Sequence, residues 1–289
     1  MKPAPFKYFA PTTAEEVLDH LDAYGDEAKL LAGGQSLVPT MNFRLAQPQV
    51  IVDLNRVSEL FYIRAQKNGG VHIGCMTRQR EVERSALVAE RVPLVAETMP
   101  HIAHAQIRNR GTFGGSLAHA DPAAELPAVA VALDAQFLLR SKKRERWLPA
   151  GEFYRDLFTT ALEPDELLVE IKLPALPPRT GWAFREVARR HGDFALVGVA
   201  AVVTVDEKQK CQQARIVLLS VGNGPVKAHT AAQSLTGQKP TKRAIGDAAA
   251  TAAVADIDPP GDIHASAAFR RHLAKVLTEQ ALTEAFARV

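Results

Sequence analysis

The sequence predicts an α+β chain built in three pieces, and three observations carry that expectation. Its 289 residues exceed the roughly 100–200 residues of one ordinary core. Helix and strand patterns alternate early, short strands with glycine turns follow, and three long strands then precede a run of helices. Pro174 and Pro177-Pro178 punctuate the last transition. The pieces are expected at residues 1–55, 56–176 and 177–289. At 47% hydrophobic and 23% charged residues, the composition excludes a disordered, collagen-like or disulfide-stapled chain.

In the first piece, Thr12 or Thr13 can cap a helix, with a glutamate three residues on. Val17, Leu18 and Leu21 form its apolar stripe and Gly25 stops it. Residues 29–32 read as a short buried strand running into Gly33-Gly34. Ser36 is placed to cap a helix from Leu37 to Leu45, and residues 50–54 give a second strand. In the second piece, Asn68-Gly69-Gly70 marks a hairpin. Helices are expected over 77–85 and 93–102. Asp121 with Pro122 reads as a helix start before the apolar stretch Leu126–Leu133. Residues 136–140 and 146–148 flank a basic tip, Ser141 to Glu145, which reads as a solvated hairpin end because no aromatic platform accompanies it. A strand over 166–173 closes the piece.

The third piece reads as strands over 182–188, 196–205 and 214–221, then a helix over 241–255 and a long one after Asp262. On the long helix, Phe269, Leu273, Val276 and Leu277 are expected inside, with Arg270, Arg271, Lys275 and Glu279 outside.

Charge and cysteine usage narrow the function. A net charge of +3 is too small for a dedicated nucleic-acid binder. The two cysteines, Cys75 and Cys211, lack CxxC partners and cannot hold an iron–sulfur cluster, which takes four thiolates. They read as buried hydrophobes. The longest apolar run, residues 194–205, falls short of the ~20 residues that cross a bilayer, so no membrane insertion is expected. No secretory pattern opens the chain, and a reducing cytoplasm is the expected location.

Two segments stand out as chemistry: Ala32-Gly33-Gly34-Gln35-Ser36-Leu37 and Gly111-Thr112-Phe113-Gly114-Gly115-Ser116. Each sets a glycine pair beside hydroxyl residues before an expected helix. Without Cβ atoms, such turns bring backbone N–H groups close to an anion. Two of them, distant in sequence, can grip the two phosphates of one pyrophosphate. Neither is a Walker A loop, for no Lys-Ser/Thr follows, and neither is GxGxxG. His101, His104 and His119, with Asp121, present a possible metal set. Imidazoles beside a phosphate loop serve more often as hydrogen-bond donors, and that reading is preferred. No convincing nucleophile or acid/base pair appears.

These segments resemble the FAD-binding medium subunit of the molybdenum hydroxylases, a family that includes carbon monoxide dehydrogenase, quinoline 2-oxidoreductase and xanthine dehydrogenase. The resemblance rests on residues 32–37, on the long stretch from Ile107 to Pro122, on Asp165-Glu166-Leu167-Leu168, on Phe184 to Ala195, and on Asp262 to Ser266 with Arg270-Arg271. It implies a two-lobed FAD domain of the vanillyl-alcohol-oxidase type, followed by a C-terminal α+β domain of the CO-dehydrogenase flavoprotein type. Residues 32–36 and 111–115 would hold the FAD pyrophosphate through backbone N–H groups. Ile107, Ser116 and His119 belong to the same cofactor set, Ser116 standing where many relatives carry asparagine. Asp121 would bond the flavin or ribityl region, and Leu168 would pack on the adenine or the ring. Arg185 stands where xanthine dehydrogenase has lysine, and Phe194 falls near the isoalloxazine. No catalytic side chain and no metal ligand is implied in this chain. A molybdenum cofactor on a large partner and two [2Fe–2S] clusters on a small partner would complete a dimer of heterotrimers that passes electrons to FAD and on to an acceptor. Two competing readings are a self-sufficient flavin oxidoreductase of the same fold and a nucleotide-binding module without redox chemistry.

Overall fold

In the computed structural model, which describes residues 2–289, each stretch of sequence closes its own sheet. Strands β1 (Lys7–Phe9), β2 (Ala28–Leu31) and β3 (Val50–Asp53) form a parallel sheet in the order β1-β3-β2. Helix α1 (Ala14–Tyr24) covers one face with Val17, Leu18 and Leu21. Thr13 caps it, its hydroxyl accepting from Glu16 N at 3.2 Å, and Gly25 ends it at φ 47°. On the other face, Val38 and Met41 of α2 (Leu37–Asn42) line a hollow with Tyr8, Leu31 and Ile51. This helix stops three residues before the sequence suggests, because Arg44 turns left-handed at φ 59° and Leu45 N–H reaches back to Thr40 O.

The middle piece is a five-stranded antiparallel sheet, completed by strands far apart in sequence. Strands β4 (Ile63–Ala65) and β5 (Val71–Gly74) form the expected hairpin. Six helices follow: α3 (Gln79–Arg84), α4 (Ala86–Arg91), α5 (Pro93–Thr98), α6 (Ala105–Arg110), α7 (Phe113–His119) and α8 (Glu125–Ala132). Then come β6 (Gln136–Arg140), β7 (Glu145–Pro149), α9 (Ala150–Phe153), the small hairpin β8 (Tyr154–Asp156) and β9 (Thr159–Thr160), and β10 (Leu167–Leu173), in the sheet order β4-β5-β10-β6-β7. The tip between β6 and β7 is the expected exposed hairpin end, Lys142 to Glu145 lying at the surface. Lys142 pairs with Asp19 at 2.8 Å and Arg140 with Glu15 at 2.8 Å, tying the tip to α1. Every residue of α8 is buried, as its apolar sequence requires. It begins at Glu125, however, not at Asp121: the Asp121 carboxylate accepts from Ala123 N at 2.9 Å and makes a tight turn instead of a helix cap.

The C-terminal piece is an antiparallel sheet of β11 (Thr180–Ala188), β12 (Ala195–Val205), β13 (Cys211–Leu219) and β14 (Val226–Lys227), with α10 (His229–Leu235), α11 (Lys242–Thr251) and α12 (Ala267–Ala287). All eleven residues of β12 are buried because both faces of this sheet are covered. Phe184, Ala200, Val202 and Val217 join the core of the first two pieces, while Val197, Val199, Ala201 and Val203 join the core under α12. The expected face of α12 needs one correction. Phe269 is exposed and Arg270 is buried, because the Arg270 guanidinium donates to Ser220 O at 3.1 Å and to Asp262 Oδ2 at 2.6 Å, and also to Leu196 O. A charge with that many partners is tolerated inside where an unpaired one is not.

Candidate functional site

The two glycine segments meet. A Cβ on Gly33 would lie 2.5 Å from Arg110 O and 2.8 Å from Gly111 Cα, and one on Gly115 would lie 3.2 Å from the Ala32 Cβ. Backbone therefore touches backbone, and only glycine permits it. Chain order brings this about: β2 delivers the first segment to one edge of the junction, and the step from α6 to α7 delivers the second.

The first segment leaves its donors free. Gly34 takes φ 76°, and none of the N–H groups of Gly33, Gly34, Gln35 and Ser36 donates to a protein acceptor among the described residues. Ser36 occupies the position before α2 without bonding through its side chain, in contrast to the capping role its sequence suggests. Its backbone is already helical at φ −106°, ψ −48° rather than extended as in a capping residue, and its carbonyl accepts from Thr40 N at 3.1 Å and Thr40 Oγ1 at 2.7 Å.

The second segment is built the opposite way. Phe113 N–H donates to Thr77 O at 2.9 Å, Gly114 to Cys75 O at 2.8 Å, Gly115 to Thr112 Oγ1 at 3.0 Å and Ser116 to Thr112 O at 3.3 Å. Of the donors at 111–116, the Thr112 N–H alone has no protein acceptor among the described residues. Gly114 lies so close to Cys75 that a Cβ would come within 2.5 Å of the Cys75 Cβ. Its lack of a side chain serves packing.

A polar bridge that sequence reasoning missed ties the segments together. Asn55 Nδ2 donates to Ala32 O at 3.0 Å, Arg78 Nη2 to Asn55 Oδ1 at 2.6 Å, and Arg78 Nη1 to Arg110 O at 2.6 Å. Burial and the neighbouring Arg110 charge lower the Arg78 pKa. Neither arginine forms a direct ion pair among the described residues, and the Asp53 carboxylate, held by Asn55, acts on both of them from farther off. The signal in sequence was faint: Asn55-Arg56 looks like a turn and Arg78 a helix-start residue.

The remaining candidates spread outward from this junction. Ile107 is half-buried on α6, and its carbonyl accepts from Gly111 N at 2.7 Å. His119 lies against the Phe158 ring at 5.2 Å between centroids, with Phe158 held at φ 52° on the β8–β9 turn. Leu168 is buried in the core at an irregularity between β10 and β6. Phe194 is 70% exposed at the β11–β12 turn, which packs against the second segment's entry through Gly192 and His104. Arg185 is engaged elsewhere: its guanidinium bonds Glu284 and lies 3.9 Å from Glu97. Leu37 opens α2 and is half-buried.

The three histidines go separate ways. His101 Nδ1 pairs with Glu186 at 3.3 Å, His104 sits under Gly192, and His119 meets Phe158. Glu186 raises the His101 pKa. Beside them Glu125 is buried, and burial, with the Glu186 charge second, pushes its pKa up to about 8. Cys75 and Cys211 are free and buried, their thiols pushed by burial to about 12 and about 11. Neither is a nucleophile.

Residues 4–176 match the FAD binding domain in molybdopterin dehydrogenase, and residues 182–285 match the CO dehydrogenase flavoprotein C-terminal domain. The chain belongs to the FAD-binding medium subunits of the molybdenum hydroxylases. This medium subunit is 43% identical to the 6-hydroxypseudooxynicotine dehydrogenase complex subunit alpha of Paenarthrobacter nicotinovorans, covering 100% of this chain and 97% of that one. It is 38% identical to the carbon monoxide dehydrogenase medium chain of Hydrogenophaga pseudoflava, over 100% and 99% of the two chains. The structure of the H. pseudoflava carbon monoxide dehydrogenase superposes with a TM-score of 0.96 at 39% identity, covering 100% of this chain and 99% of that one. Quinoline 2-oxidoreductase from Pseudomonas putida 86 superposes at 0.93 and 38%, over 99% of each chain. The medium subunit is thus an FAD-dependent oxidoreductase component of a multi-subunit enzyme. No helix among the described residues is long and apolar enough to cross a membrane.

Proposed function

We propose that this chain holds FAD at the junction of its two glycine segments and serves there as the electron outlet of a molybdenum hydroxylase. The observation that carries the reading is the run of four unclaimed N–H groups, Gly33 to Ser36, beside the unpaired Arg78 and Arg110. Such a donor run with two cations free of direct ion pairs suits a pyrophosphate. Thr112 N–H adds a donor from the second segment, whose other N–H groups are occupied. Ala32, Gln35 and Leu37 frame the first segment; Ile107, Gly111, Gly114, Gly115, Ser116 and His119 frame the second. Asp121 keeps one carboxylate oxygen free to accept from the ribityl or flavin region, Leu168 backs the cofactor from the core, and Phe194 shields its outer side. Arg185 acts as a neighbouring charge held by Glu284.

Bound FAD supplies the chemistry of taking electrons singly from [2Fe–2S] clusters and delivering them to an acceptor. The clusters and the molybdenum cofactor would reside on a small and a large partner, in a dimer of heterotrimers in the cytoplasm. Two buried, scattered cysteines on this chain support that division of labour. The FAD-binding part would divide at residues 55 and 56 and end at 176, since the three-stranded and five-stranded sheets each finish within those limits.

The test is the visible spectrum of the purified chain, alone and after mixing with its iron–sulfur and molybdenum subunits. We expect flavin absorbance alone or after adding FAD, bleached by reducing substrate only when the partners are present. A chain that stays colourless with added FAD would sink the reading. Bleaching by substrate without partners would favour a self-sufficient oxidoreductase.

A further inference from the structure

Asp121 and Phe194, which the proposed function sets nearest the flavin, belong to different domains, and one buried residue joins their segments. Ser220 directly follows β13 and has all its polar groups engaged. Its N–H donates to Pro122 O at 2.8 Å, its hydroxyl donates to Ala195 O at 2.7 Å, and its carbonyl accepts from Arg270 Nη1 at 3.1 Å. Pro122 follows Asp121 in the chain, and Ala195 follows Phe194. Ser220 does this while buried and left-handed, at φ 60°. A non-glycine residue stays in that region only where its surroundings over-determine it, and bonds to three separate segments do so.

Arg270 holds this joint from the α12 side. It lies in the first turn of α12 and is 6% exposed. Its Nη1 also donates to Leu196 O, two residues after Phe194, and its Nη2 donates to Asp262 Oδ2 at 2.6 Å. Asp262 is fixed in turn, its other oxygen accepting from His264 N at 2.8 Å and Ala265 N at 2.9 Å. The Arg270 Nε is buried with no acceptor among the described residues. Apolar side chains of similar volume commonly serve stability as well as a buried charge does. Stability alone therefore does not account for a cation at this place; the two carbonyls it binds point to a geometric role.

The segment between β11 and β12 needs such a hold. Phe194 is 70% exposed, and Gly192 stands at φ 87°. Within the turn the bonds are few: Asp193 N–H to Arg190 O at 3.1 Å, and Arg189 to Asp193 at 3.5 Å. Gly192 against His104 fixes the entry side. The exit side is fixed where β12 begins, and there Ser220 and Arg270 bind.

We propose that Arg270 is a positioning residue for the flavin edge: through Ser220 and Leu196 it fixes the turn that carries Phe194 against the segment that carries Asp121, and so sets how closely Phe194 covers bound FAD. This rests on the proposed FAD site and adds to it a side chain whose polar contacts all lie within the protein.

The test is a double-mutant cycle on the FAD-loaded full chain, Arg270→Met against Phe194→Ala, read by iodide quenching of the flavin fluorescence. We expect Arg270→Met to raise the quenching constant at least about threefold when Phe194 is present, and less than about 1.5-fold in the Phe194→Ala background, where the cover is already gone. Equal rises in both backgrounds mean that Arg270 merely keeps the protein compact and overturn the proposal, as does no rise in either. Should Arg270→Met fail to fold or to take up FAD, Ser220→Gly replaces it in the same cycle. Glycine keeps φ 60° without strain and removes only the bond to Ala195 O, so the same non-additivity is expected, and additive effects overturn the proposal. A wild-type chain that never takes up FAD refutes the function reading by itself. Hydrogen exchange then judges the hold alone: amides of residues 193–196 should exchange at least about tenfold faster in Ser220→Gly, with those of β10 unchanged, and wild-type rates there overturn it.

Discussion

Two segments with the same composition, a glycine pair beside hydroxyl residues, do different work in this molecule. At Gly33-Gly34 the backbone is left with donors unspent. At Gly114-Gly115 nearly every donor is already bonded within the protein, and the glycines exist so that α7 can lie against Cys75. The difference teaches that a glycine-rich motif reports close approach, and only hydrogen-bond accounting shows whether a ligand or the protein itself is approached. On the proposed reading, the first segment is the binding surface and the second is the wall that shapes it.

The sharpest way to break this contrast is to add one methyl group to each. Gly114→Ala drives a Cβ to within 2.5–2.7 Å of Cys75 main- and side-chain atoms that cannot retreat. We expect a loss of about 3 kcal/mol or more, read as a large drop in melting temperature or as insoluble protein. Gly33→Ala places its Cβ 2.5 Å from Arg110 O and pries the segments apart at their contact. Here the expected damage is to FAD binding. Losing one or two charge-assisted bonds weakens the dissociation constant by roughly 10–100-fold, with a smaller shift in melting than Gly114→Ala, read by flavin titration and calorimetry. Equal damage to folding at both positions would erase the distinction.

The same contrast explains what was legible in the sequence. Strands, helices and the pairing of the two segments followed from periodicity and glycine placement, which are local. Their bridge did not: Asn55 and Arg78 sit 23 and 46 residues from Ala32, and only the closed fold brings both to one hydrogen-bond chain. Asp121 misled because Asp-Pro opens a turn as readily as a helix, and here Ala123 N–H took its carboxylate. Arg270 misled because periodicity scores an arginine as outward, although three backbone and side-chain oxygens waited inside. In each case a long-range polar partner overrode a local pattern.

Effects of intermediate size test the wall. Thr112→Ala removes the cap that holds Gly115 N–H and should cost about 1 kcal/mol, with Thr112→Ser restoring most of it. Beyond the wall, Glu125 binds a proton in the folded state up to about pH 8, well above its unfolded value of 4.5. Between those limits the folded chain holds more protons than the unfolded one, so this group's contribution to stability falls as pH rises through that window. Glu125→Gln, neutral in both states, should flatten the melting temperature between pH 5 and 8 relative to wild type. A curve as steep as the wild type's would mean that Glu125 is ionised inside.

The smallest expected effect is the most diagnostic of the first segment. The Ser36 hydroxyl bonds nothing in the helix it precedes, so Ser36→Ala should leave stability within about 0.5 kcal/mol. A hydroxyl that donates to a pyrophosphate oxygen is worth about 1 kcal/mol, and its removal should raise the FAD dissociation constant about fivefold. Thr112→Ala should show the reverse balance, costing stability more than affinity. If Ser36→Ala instead lowers the melting temperature and spares FAD, the hydroxyl is serving the chain, and the two segments are alike after all.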